Sequence, residues 1–183
     1  MPSLITENSA LFLDRDGVIN QLREADYVKH TSEFVLLPEV IPALTILRPL
    51  FKRIFVVTNQ QGIGKGLMQH SIDEIHNFFL SQIPNNLHPD KIYHCPHLTA
   101  DNCSCRKPMP GMALQAKNDF PEIQLTHSVM VGDSESDMAF GRNAGMHCIF
   151  IQKDPVKIAK FGGENYSDLL RFATHWSGNS TLL

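Results

Sequence analysis

The chain has 183 residues, of which 43% are hydrophobic, and this length and composition predict one globular domain over residues 1–183. The formal net charge is −3 and the basic residues are scattered, so we expect no nucleic-acid partner. No apolar run approaches the ~20 residues of a membrane span, and the N-terminus lacks a signal pattern. We therefore expect a cytoplasmic monomer with no membrane partner.

Strand and helix patterns alternate along the chain. Short apolar segments, several of them rich in β-branched residues, predict five core strands at residues 10–13, 54–58, 91–94, 128–132 and 148–151. Helical periodicity predicts helices at residues 38–50, 71–83, 111–119, 135–143 and 166–173. Ser71 and Glu74 form a capping-box pattern at the start of the second helix. This alternation predicts an α/β fold, a doubly wound parallel sheet with helices on both faces.

Polar side chains follow three of these strands at the point where each strand ends. Asp14 and Asp16 follow the first strand, Thr58 ends the second, and Asp133 follows the fourth. The carboxyl ends of parallel strands meet at one edge of a sheet, so we expect one site there. Carboxylates two residues apart in extended chain can face the same site. Gly17 permits a sharp turn that brings backbone N–H groups toward an anion, although a solvated acidic turn is an equal alternative for this segment alone.

These carboxylates suit the hydrolysis of a phosphate monoester. Asp14 could attack phosphorus, giving an aspartyl phosphate, and Asp16 could protonate the leaving oxygen and later activate water. The negative charges repel one another unless a hard cation lies between them, and Mg²⁺ suits one or two carboxylates plus phosphate. We expect Mg²⁺ to be held by Asp14, the backbone carbonyl of Asp16, and Asp133. Asp137, one helical turn further on, would orient the metal ligands.

The phosphate also needs donors and a positive charge. The Thr58 hydroxyl and the Asn59 amide lie at a strand end, where they could hold phosphate oxygens. Lys107 could neutralise the charge of the transition state, because phosphoryl transfer depends mainly on positioning and electrostatics. It also precedes a predicted helix whose N-terminus favours anions. Without its surrounding motif, Lys107 would be interpreted as a solvated loop lysine.

A cysteine-rich loop at residues 95–105 predicts a second metal site. Thiolates and an imidazole suit tetrahedral Zn²⁺, and a set of three cysteines and one histidine leaves no open position, so we expect a structural zinc. The expected ligands are Cys95, His97, Cys103 and Cys105. Bound metal would rigidify this loop and fix Arg106 and Lys107 close to the phosphate site. Incidental thiols beside a surface histidine are the alternative.

Four ordered motifs resemble those of the haloacid dehalogenase-like phosphatase superfamily. They are Asp14-x-Asp16-Gly17, Thr58-Asn59, Lys107-Pro108 and Gly132-Asp133-x-x-x-Asp137. The resemblance spans roughly residues 10–150 and implies a Rossmann-like fold, Mg²⁺ dependence and the aspartyl-phosphate mechanism. It marks Asp14 as nucleophile and Asp16 as acid and base. It also implies phosphate contacts from Thr58, Asn59 and Lys107, and a metal ligand in Asp133.

The cysteine loop is similar to that of one branch of this superfamily. Cys-x-His followed by Cys-x-Cys-Arg-Lys-Pro resembles the branch of the D-glycero-D-manno-heptose-1,7-bisphosphate 7-phosphatases and the histidinol phosphatases, enzymes with a minimal cap and a zinc loop. The resemblance implies a small phosphorylated metabolite as substrate and Arg106 as a further substrate contact. The surrounding motifs favour the heptose bisphosphate. The short gap between His97 and Cys103 looks more like the histidinol phosphatases, and Val18 stands where threonine is usual.

Two functions from other classes use some of the same features. A phospho-accepting signalling domain also combines aspartates, Mg²⁺ and a lysine on a doubly wound sheet, but it needs neither Asp16 nor a zinc loop. A zinc-dependent binding module would not need Asp14. The glycine-rich stretch at residues 62–66 lacks the spacing of a nucleotide-binding P-loop, so we expect an active-site loop there, with Lys65 available to a second phosphate.

Overall fold

The centre of the protein is a single six-stranded sheet. The computed structural model describes residues 5–24 and 26–178. All neighbouring strands pair in parallel, in the order β3-β2-β1-β4-β5-β6. The strands are β1 (Ala10–Leu13), β2 (Arg53–Asn59), β3 (Lys91–Cys95), β4 (Val129–Gly132), β5 (His147–Ile151) and β6 (Glu164–Tyr166). The crossover at β1 places the ends of β1, β2 and β4 side by side, where ligands bind in open α/β sheets.

Helices cover both faces of this sheet, as the alternating pattern predicts. They are α1 (Val40–Leu47), α2 (Gln61–Gly64), α3 (Ile72–Ser81), α4 (Gly111–Asp119), α5 (Glu135–Asn143), α6 (Pro155–Phe161) and α7 (Leu169–Trp176). Leu11 and Leu13 of β1 pack in the core under α1, α3 and α7, whereas Ala10 and Phe12 pack in a second core under α4 and α5. Burial on both faces explains why the strands are apolar without a break. No helix among the described residues is long and apolar enough to cross a membrane.

Three elements near the C-terminus differ from the prediction. Residue Tyr166 ends β6, so the expected helix at 166–173 is wrong at its start: α7 begins at Leu169, after Asp168 caps the N–H of Arg171 at 2.9 Å. The strand β6 and the helix α6 were not predicted. Each is short, and none of their residues is fully buried. An edge strand and an exposed helix leave little apolar periodicity in the sequence.

The connection from β1 to α1, residues 14–39, borders the edge where β1, β2 and β4 end. Its described part contains two isolated bridges, Asp16 with Asn20 and Asn20 with Leu36, and a single 3₁₀ turn at Thr31–Glu33. This short flap agrees with the expected minimal cap. The stretch at 62–66, expected to be a loop, contributes its first residues to the one-turn helix α2, and Lys65 Nζ donates to the Tyr27 hydroxyl at 3.1 Å.

Candidate active site and metal sites

One pocket brings together residues from all of the predicted strand-end motifs. It has a volume of about 190 Å³ and opens at the carboxyl ends of β1, β2 and β4. Its lining residues are Asp14, Asp16, Leu22, Thr58, Asn59, Lys107, Asp133, Ser134, Ser136 and Asp137. Here this cavity is called the carboxylate pocket. Of the residues predicted to contact phosphate, Arg106 and Lys65 lie outside its lining.

The Lys107 ammonium group lies between two carboxylates at the base of this pocket. Its Nζ is 2.6 Å from Asp14 Oδ1, 2.6 Å from Asp137 Oδ1 and 2.9 Å from the Val57 carbonyl oxygen. Lys107 is only 4% exposed. Burial acts to lower the pKa of this amine, but the charges of Asp137 and Asp14 outweigh it and hold the pKa above its usual value. Lys107 is therefore a fixed positive charge.

Three carboxylates in the pocket carry more negative charge than Lys107 can balance. Oxygens of Asp14, Asp133 and Asp137 all lie within 4.8 Å of one another. Burial, reinforced by the charge of Asp137, raises the pKa of Asp133 to about 7 and raises that of Asp14 well above its ordinary value. A compact set of oxygen donors with surplus negative charge fits a hard divalent cation such as Mg²⁺. These residues are able to hold one.

The Asp16 side chain has a separate set of partners. One Arg15 nitrogen donates to both of its oxygens, at 3.0 and 2.9 Å, and the Asn20 and Gln60 amides donate at 2.9 and 3.0 Å. Burial acts to raise the pKa of Asp16, but the Arg15 charge and these hydrogen bonds bring it below the ordinary value. The strand ends at Leu13, so the alternation of an extended segment does not apply here. Both Asp14 and Asp16 line the pocket, but their carboxylates have different neighbours.

Gly17 supplies the predicted turn at this point. Its φ is +98°, and a Cβ here would lie 2.0 Å from Asp133 Oδ2, so the absence of a side chain lets Asp133 pack against the backbone. The Gly17 N–H donates to the Asn20 carbonyl at 2.8 Å. The turn is therefore as expected, but this N–H group is used within the flap and does not face an anion.

The Thr58 and Asn59 side chains end β2 and have unequal roles in the pocket. The Asn59 side chain binds the main chain of Lys107 in both directions: its Nδ2 donates to the Lys107 carbonyl at 3.1 Å, and its Oδ1 accepts from the Lys107 N–H at 3.0 Å. The Thr58 hydroxyl accepts from Gln60 Nε2 at 2.8 Å. Asn59 thus fixes Lys107, while Thr58 is the hydroxyl donor that faces the pocket.

Two buried residues beside Asp16 escaped the sequence interpretation. Arg15 is 0% exposed and Gln60 is 1% exposed, and both bind the Asp16 carboxylate. Arg15 also lies 3.5 Å from His76 Nε2. Burial, with the Arg15 charge second, lowers the pKa of His76 to about 3, so this ring is neutral at physiological pH. A signal existed in the sequence, since Arg15 separates the two aspartates and Gln60 directly follows Thr58-Asn59.

The cysteine loop forms the second cluster of metal-ligating groups. Cys95 Sγ lies 3.5 Å from His97 Nδ1 and 3.5 Å from Cys103 Sγ, and Cys105 Sγ lies 3.0 Å from Cys95 Sγ and 3.1 Å from His97 Nδ1. A zinc tetrahedron with bonds of ~2.3 Å spaces its sulfurs by roughly 3.8 Å, so this arrangement is compatible with Zn²⁺. All cysteines are free thiols.

Backbone contacts attach this loop to the rest of the site. The Cys95 carbonyl accepts from the Gln60 N–H at 2.8 Å, and the Ser104 carbonyl accepts from the Gly111 N–H at 3.0 Å. A Cβ on Gly111 would lie 2.2 Å from the Ser104 oxygen, so glycine is needed for this close approach. Lys107 lies between these attachments and the start of α4.

Arg106 lies in a neighbouring cavity of about 290 Å³. Its lining residues are Thr99, Asn102, Cys103, Arg106, Lys107, Pro108 and Met109. Lys107 therefore borders both cavities. The Arg106 Nη1 atom is buried and forms no hydrogen bond with any described residue. A buried guanidinium nitrogen without an acceptor indicates a place for an anionic or oxygen-rich ligand group.

A family model described as HAD-hydrolase-like, where HAD denotes haloacid dehalogenase, matches residues 104–159. Two relatives are similar over most of the chain. A D-glycero-alpha-D-manno-heptose-1,7-bisphosphate 7-phosphatase from Mycobacterium tuberculosis is 37% identical and covers 89% of this chain and 88% of the relative. The D-glycero-beta-D-manno-heptose-1,7-bisphosphate 7-phosphatase of Helicobacter pylori is 36% identical, covering 84% and 89%.

Solved structures agree with these relatives. The D,D-heptose 1,7-bisphosphate phosphatase from B. bronchiseptica, in complex with magnesium and phosphate, superposes with a TM-score of 0.82 at 30% identity. It covers 94% of this chain and 99% of its own. A D,D-heptose 1,7-bisphosphate phosphatase from Burkholderia thailandensis gives a TM-score of 0.63 at 26% identity, covering 92% and 97%.

Proposed function

The chain belongs to the haloacid dehalogenase-like phosphatases, in the family of the D-glycero-D-manno-heptose-1,7-bisphosphate 7-phosphatases, and we propose that it hydrolyses the 7-phosphate of this sugar bisphosphate. One observation carries the proposal: Lys107 Nζ contacts Asp14 and Asp137 at 2.6 Å each, beside Asp133, at the edge of the sheet where β1, β2 and β4 end. This arrangement combines a nucleophile, a fixed cation and oxygen ligands for a metal in one pocket.

In the proposed reaction, an Asp14 oxygen attacks phosphorus and the ester P–O bond breaks. Asp16 is ionised at rest, takes up a proton as the negatively charged phosphate binds beside it, and donates that proton to the leaving sugar oxygen, which departs as the alcohol. Asp16 then accepts a proton from water as that water attacks phosphorus, which releases inorganic phosphate and restores the Asp14 carboxylate. The Thr58 hydroxyl and Lys107 hold the phosphoryl oxygens throughout. Asn59 contributes by fixing the main chain of Lys107, and the second hydrogen on its Nδ2 would be available to the phosphate.

Two metal ions complete the proposal. Asp14, Asp133 and the Asp16 backbone carbonyl would hold Mg²⁺, and Asp137 would orient this set while its second oxygen accepts from the Ser134 N–H at 3.1 Å. Bound Mg²⁺ would neutralise negative charge on the phosphate and on Asp14. Zn²⁺ on Cys95, His97, Cys103 and Cys105 would be structural, since four protein ligands leave no position for substrate. Gly17 supports the Mg²⁺ site by admitting Asp133.

Arg106 favours a bisphosphate over histidinol phosphate. Arg106 lines the cavity that shares Lys107 with the carboxylate pocket, and its buried Nη1 has no acceptor among the described residues. A second phosphate would supply the missing acceptor, because guanidinium pairs with phosphate through charge-assisted hydrogen bonds. Histidinol phosphate would instead place an ammonium group near these cations. The structure does not favour a phospho-accepting signalling domain, because nothing in such a domain requires Arg106 or the cysteine loop.

A comparison of kcat/KM for the two substrates tests this proposal. We expect the heptose bisphosphate, assayed as each anomer, to exceed histidinol phosphate by at least about 10-fold. The substitution Arg106→Gln should reduce this preference, whereas Arg142→Gln, on exposed Arg142 of α5, should leave it unchanged. Equal or better turnover of histidinol phosphate would overturn the substrate, and absence of any turnover would favour the signalling domain.

We also propose that the chain is a cytoplasmic monomer with one domain over residues 1–183 and the zinc loop, residues 95–105, inserted in it. One chain contributes every residue of the proposed site, which supports a monomer. Free thiols that can bind a metal are typical of a reducing compartment, which supports a cytoplasmic location. Measuring the mass of the active species by sedimentation tests the monomer.

A further inference from the structure

Gln60 lies at the junction of the two chemical groups that the proposed reaction must align. It is 1% exposed and directly follows β2. Its side-chain Nε2 donates to Asp16 Oδ2 at 3.0 Å and to the Thr58 hydroxyl oxygen at 2.8 Å. Its backbone N–H donates to the carbonyl of Cys95, at the start of the zinc loop, at 2.8 Å. One buried amide thus bridges the proposed acid/base carboxylate and the proposed phosphate-binding hydroxyl.

We propose that Gln60 is a positioning residue that holds the Asp16 carboxylate and the Thr58 hydroxyl in register with the substrate phosphate. This inference rests on the proposed phosphatase function. Gln60 does not line the carboxylate pocket, so it acts through Asp16 and Thr58 and does not touch the substrate.

The direction of the hydrogen bonds explains how this positioning works. An ionised carboxylate only accepts hydrogen bonds, so the amide must present Nε2, and not Oε1, to Asp16. The second hydrogen on Nε2 then occupies a lone pair of the Thr58 oxygen. The hydroxyl hydrogen of Thr58 is left free to point at a phosphate oxygen. Asp16 Oδ2 lies 3.5 Å from that hydroxyl, a long contact that competes only weakly for it.

The other end of the amide argues against a role in filling space alone. Gln60 Oε1 is buried and forms no hydrogen bond with any described residue. An unpaired buried carbonyl is costly, and an apolar side chain of similar length would fill the volume without that cost. The hydrogen bonds of Nε2 are what an apolar replacement would lose.

Leaving groups of different quality separate this role from a structural one. An alkoxide must be protonated as it leaves, whereas p-nitrophenolate leaves without a proton, so a misplaced Asp16 harms hydrolysis of alkyl phosphates most. We expect Gln60→Met to lower kcat/KM about 30-fold for the sugar phosphate and about 3-fold for p-nitrophenyl phosphate. The smaller loss reflects the misplaced Thr58 hydroxyl, which both substrates need. Gln60→Glu, which keeps the shape but turns an acceptor toward Asp16, should lower both at least as much.

Gln61→Met is the matched control. It removes the same atoms one residue later, where the Gln61 oxygen accepts from the N–H of Thr99 at 3.2 Å and from its hydroxyl at 2.8 Å and contacts neither Asp16 nor Thr58. We expect an unchanged ratio of alkyl to aryl kcat/KM for Gln61→Met, and melting curves that show all variants folded.

Each outcome decides the inference. A fall in the alkyl-to-aryl ratio for both Gln60 variants, with Gln61→Met unchanged, supports it. Equal losses for the two substrates, a silent Gln60→Met, or the same ratio change in Gln61→Met overturns it. If Gln60→Met does not fold, Gln60→Glu alone decides through the same ratio. Turnover by the wild-type protein tests the phosphatase function separately, so the two failures can be distinguished.

Discussion

The carboxylate cluster and the cysteine cluster are built in opposite ways. The four groups of the cysteine cluster come from one short loop, Cys95 to Cys105, and need only that loop to fold back on itself. Asp14, Asp133 and Asp137 come from segments that follow β1 and β4, which are distant in the sequence and adjacent in the sheet. The cysteine cluster is local, whereas the carboxylate cluster exists only when the whole sheet has formed.

This difference gives the two clusters different energetic consequences. Burial, reinforced by the charge of Asp137, raises the pKa values of Asp14 and Asp133, so the metal-free pocket holds buried negative charge that Lys107 balances only in part. The cysteine cluster carries less charge, since burial raises the pKa of Cys95 to about 12, although backbone and side-chain hydrogen bonds outweigh burial at Cys103 and bring its pKa to about 7. We expect loss of the metal at the carboxylates to abolish activity, and loss of the metal at the cysteines to loosen the loop.

The largest effect is expected for Asp133→Asn. Removing one oxygen ligand with its charge should lower kcat/KM by at least about 100-fold. The same change should raise the melting temperature in the absence of Mg²⁺ by about 3 °C, because it removes a repelled carboxylate. Added Mg²⁺ should stabilise the wild-type protein and leave this variant almost unaffected. Thermal scans with and without Mg²⁺ measure both shifts.

The pH dependence of that difference gives a check on its cause. Folding raises the pKa of Asp133 from 3.8 to about 7. The favourable contribution of this group to the free energy of unfolding is therefore complete below pH 3.8 and is lost as pH rises through 7. Without Mg²⁺, wild-type stability relative to Asp133→Asn should therefore fall between pH 4 and 7. A constant difference across that range would contradict the raised pKa that burial and the Asp137 charge give Asp133.

A smaller effect is expected for Cys105→Ser in the cysteine cluster. Loss of one thiolate should release the zinc, lower the melting temperature by about 5 °C and lower kcat/KM by about 10-fold through the displacement of Arg106 and Lys107. Metal analysis, melting and kinetics on one preparation measure the three changes.

Cys148→Ser provides the control, because Cys148 lies on β5 outside the cluster and its thiol donates to the backbone carbonyls of Met138 and Met146. It should keep its zinc and its kcat/KM. If Cys105→Ser loses zinc but keeps full activity, the loop does not position Lys107 and the separation of the two clusters is complete.

The sequence predicts the local parts of the molecule best. The bounds of α4 and α5 are as predicted, and the expected capping box is present: the Glu74 N–H donates to the Ser71 hydroxyl at 3.2 Å and the Ser71 N–H to the Glu74 carboxylate at 2.7 Å. The cysteine cluster also follows from spacing within one loop. Each of these features depends on residues a few positions apart in the sequence. The local conformation of the chain determines the geometry between such residues.

Features that depend on distant contacts could not be predicted in the same detail. The sequence places Asp14, Lys107 and Asp137 at strand and loop ends, but not the ammonium group between the two carboxylates. Nor does it show that the Asn59 amide binds the main chain of Lys107, or that Arg15, although next to Asp16 in the sequence, is buried and binds its carboxylate. Such pairings depend on side-chain packing across the sheet edge, which residue spacing does not specify.

The central claim is that Asp14 is the nucleophile, and trapping the phosphorylated enzyme tests it most directly. The protein is mixed with saturating sugar bisphosphate and Mg²⁺, quenched at millisecond intervals, reduced with borohydride and mapped by peptide mass spectrometry. The account predicts that Asp14 alone is converted to homoserine, to an extent that rises within the first turnover and declines as substrate is exhausted. Continued phosphate release with Asp14 unmodified at every time point would contradict it.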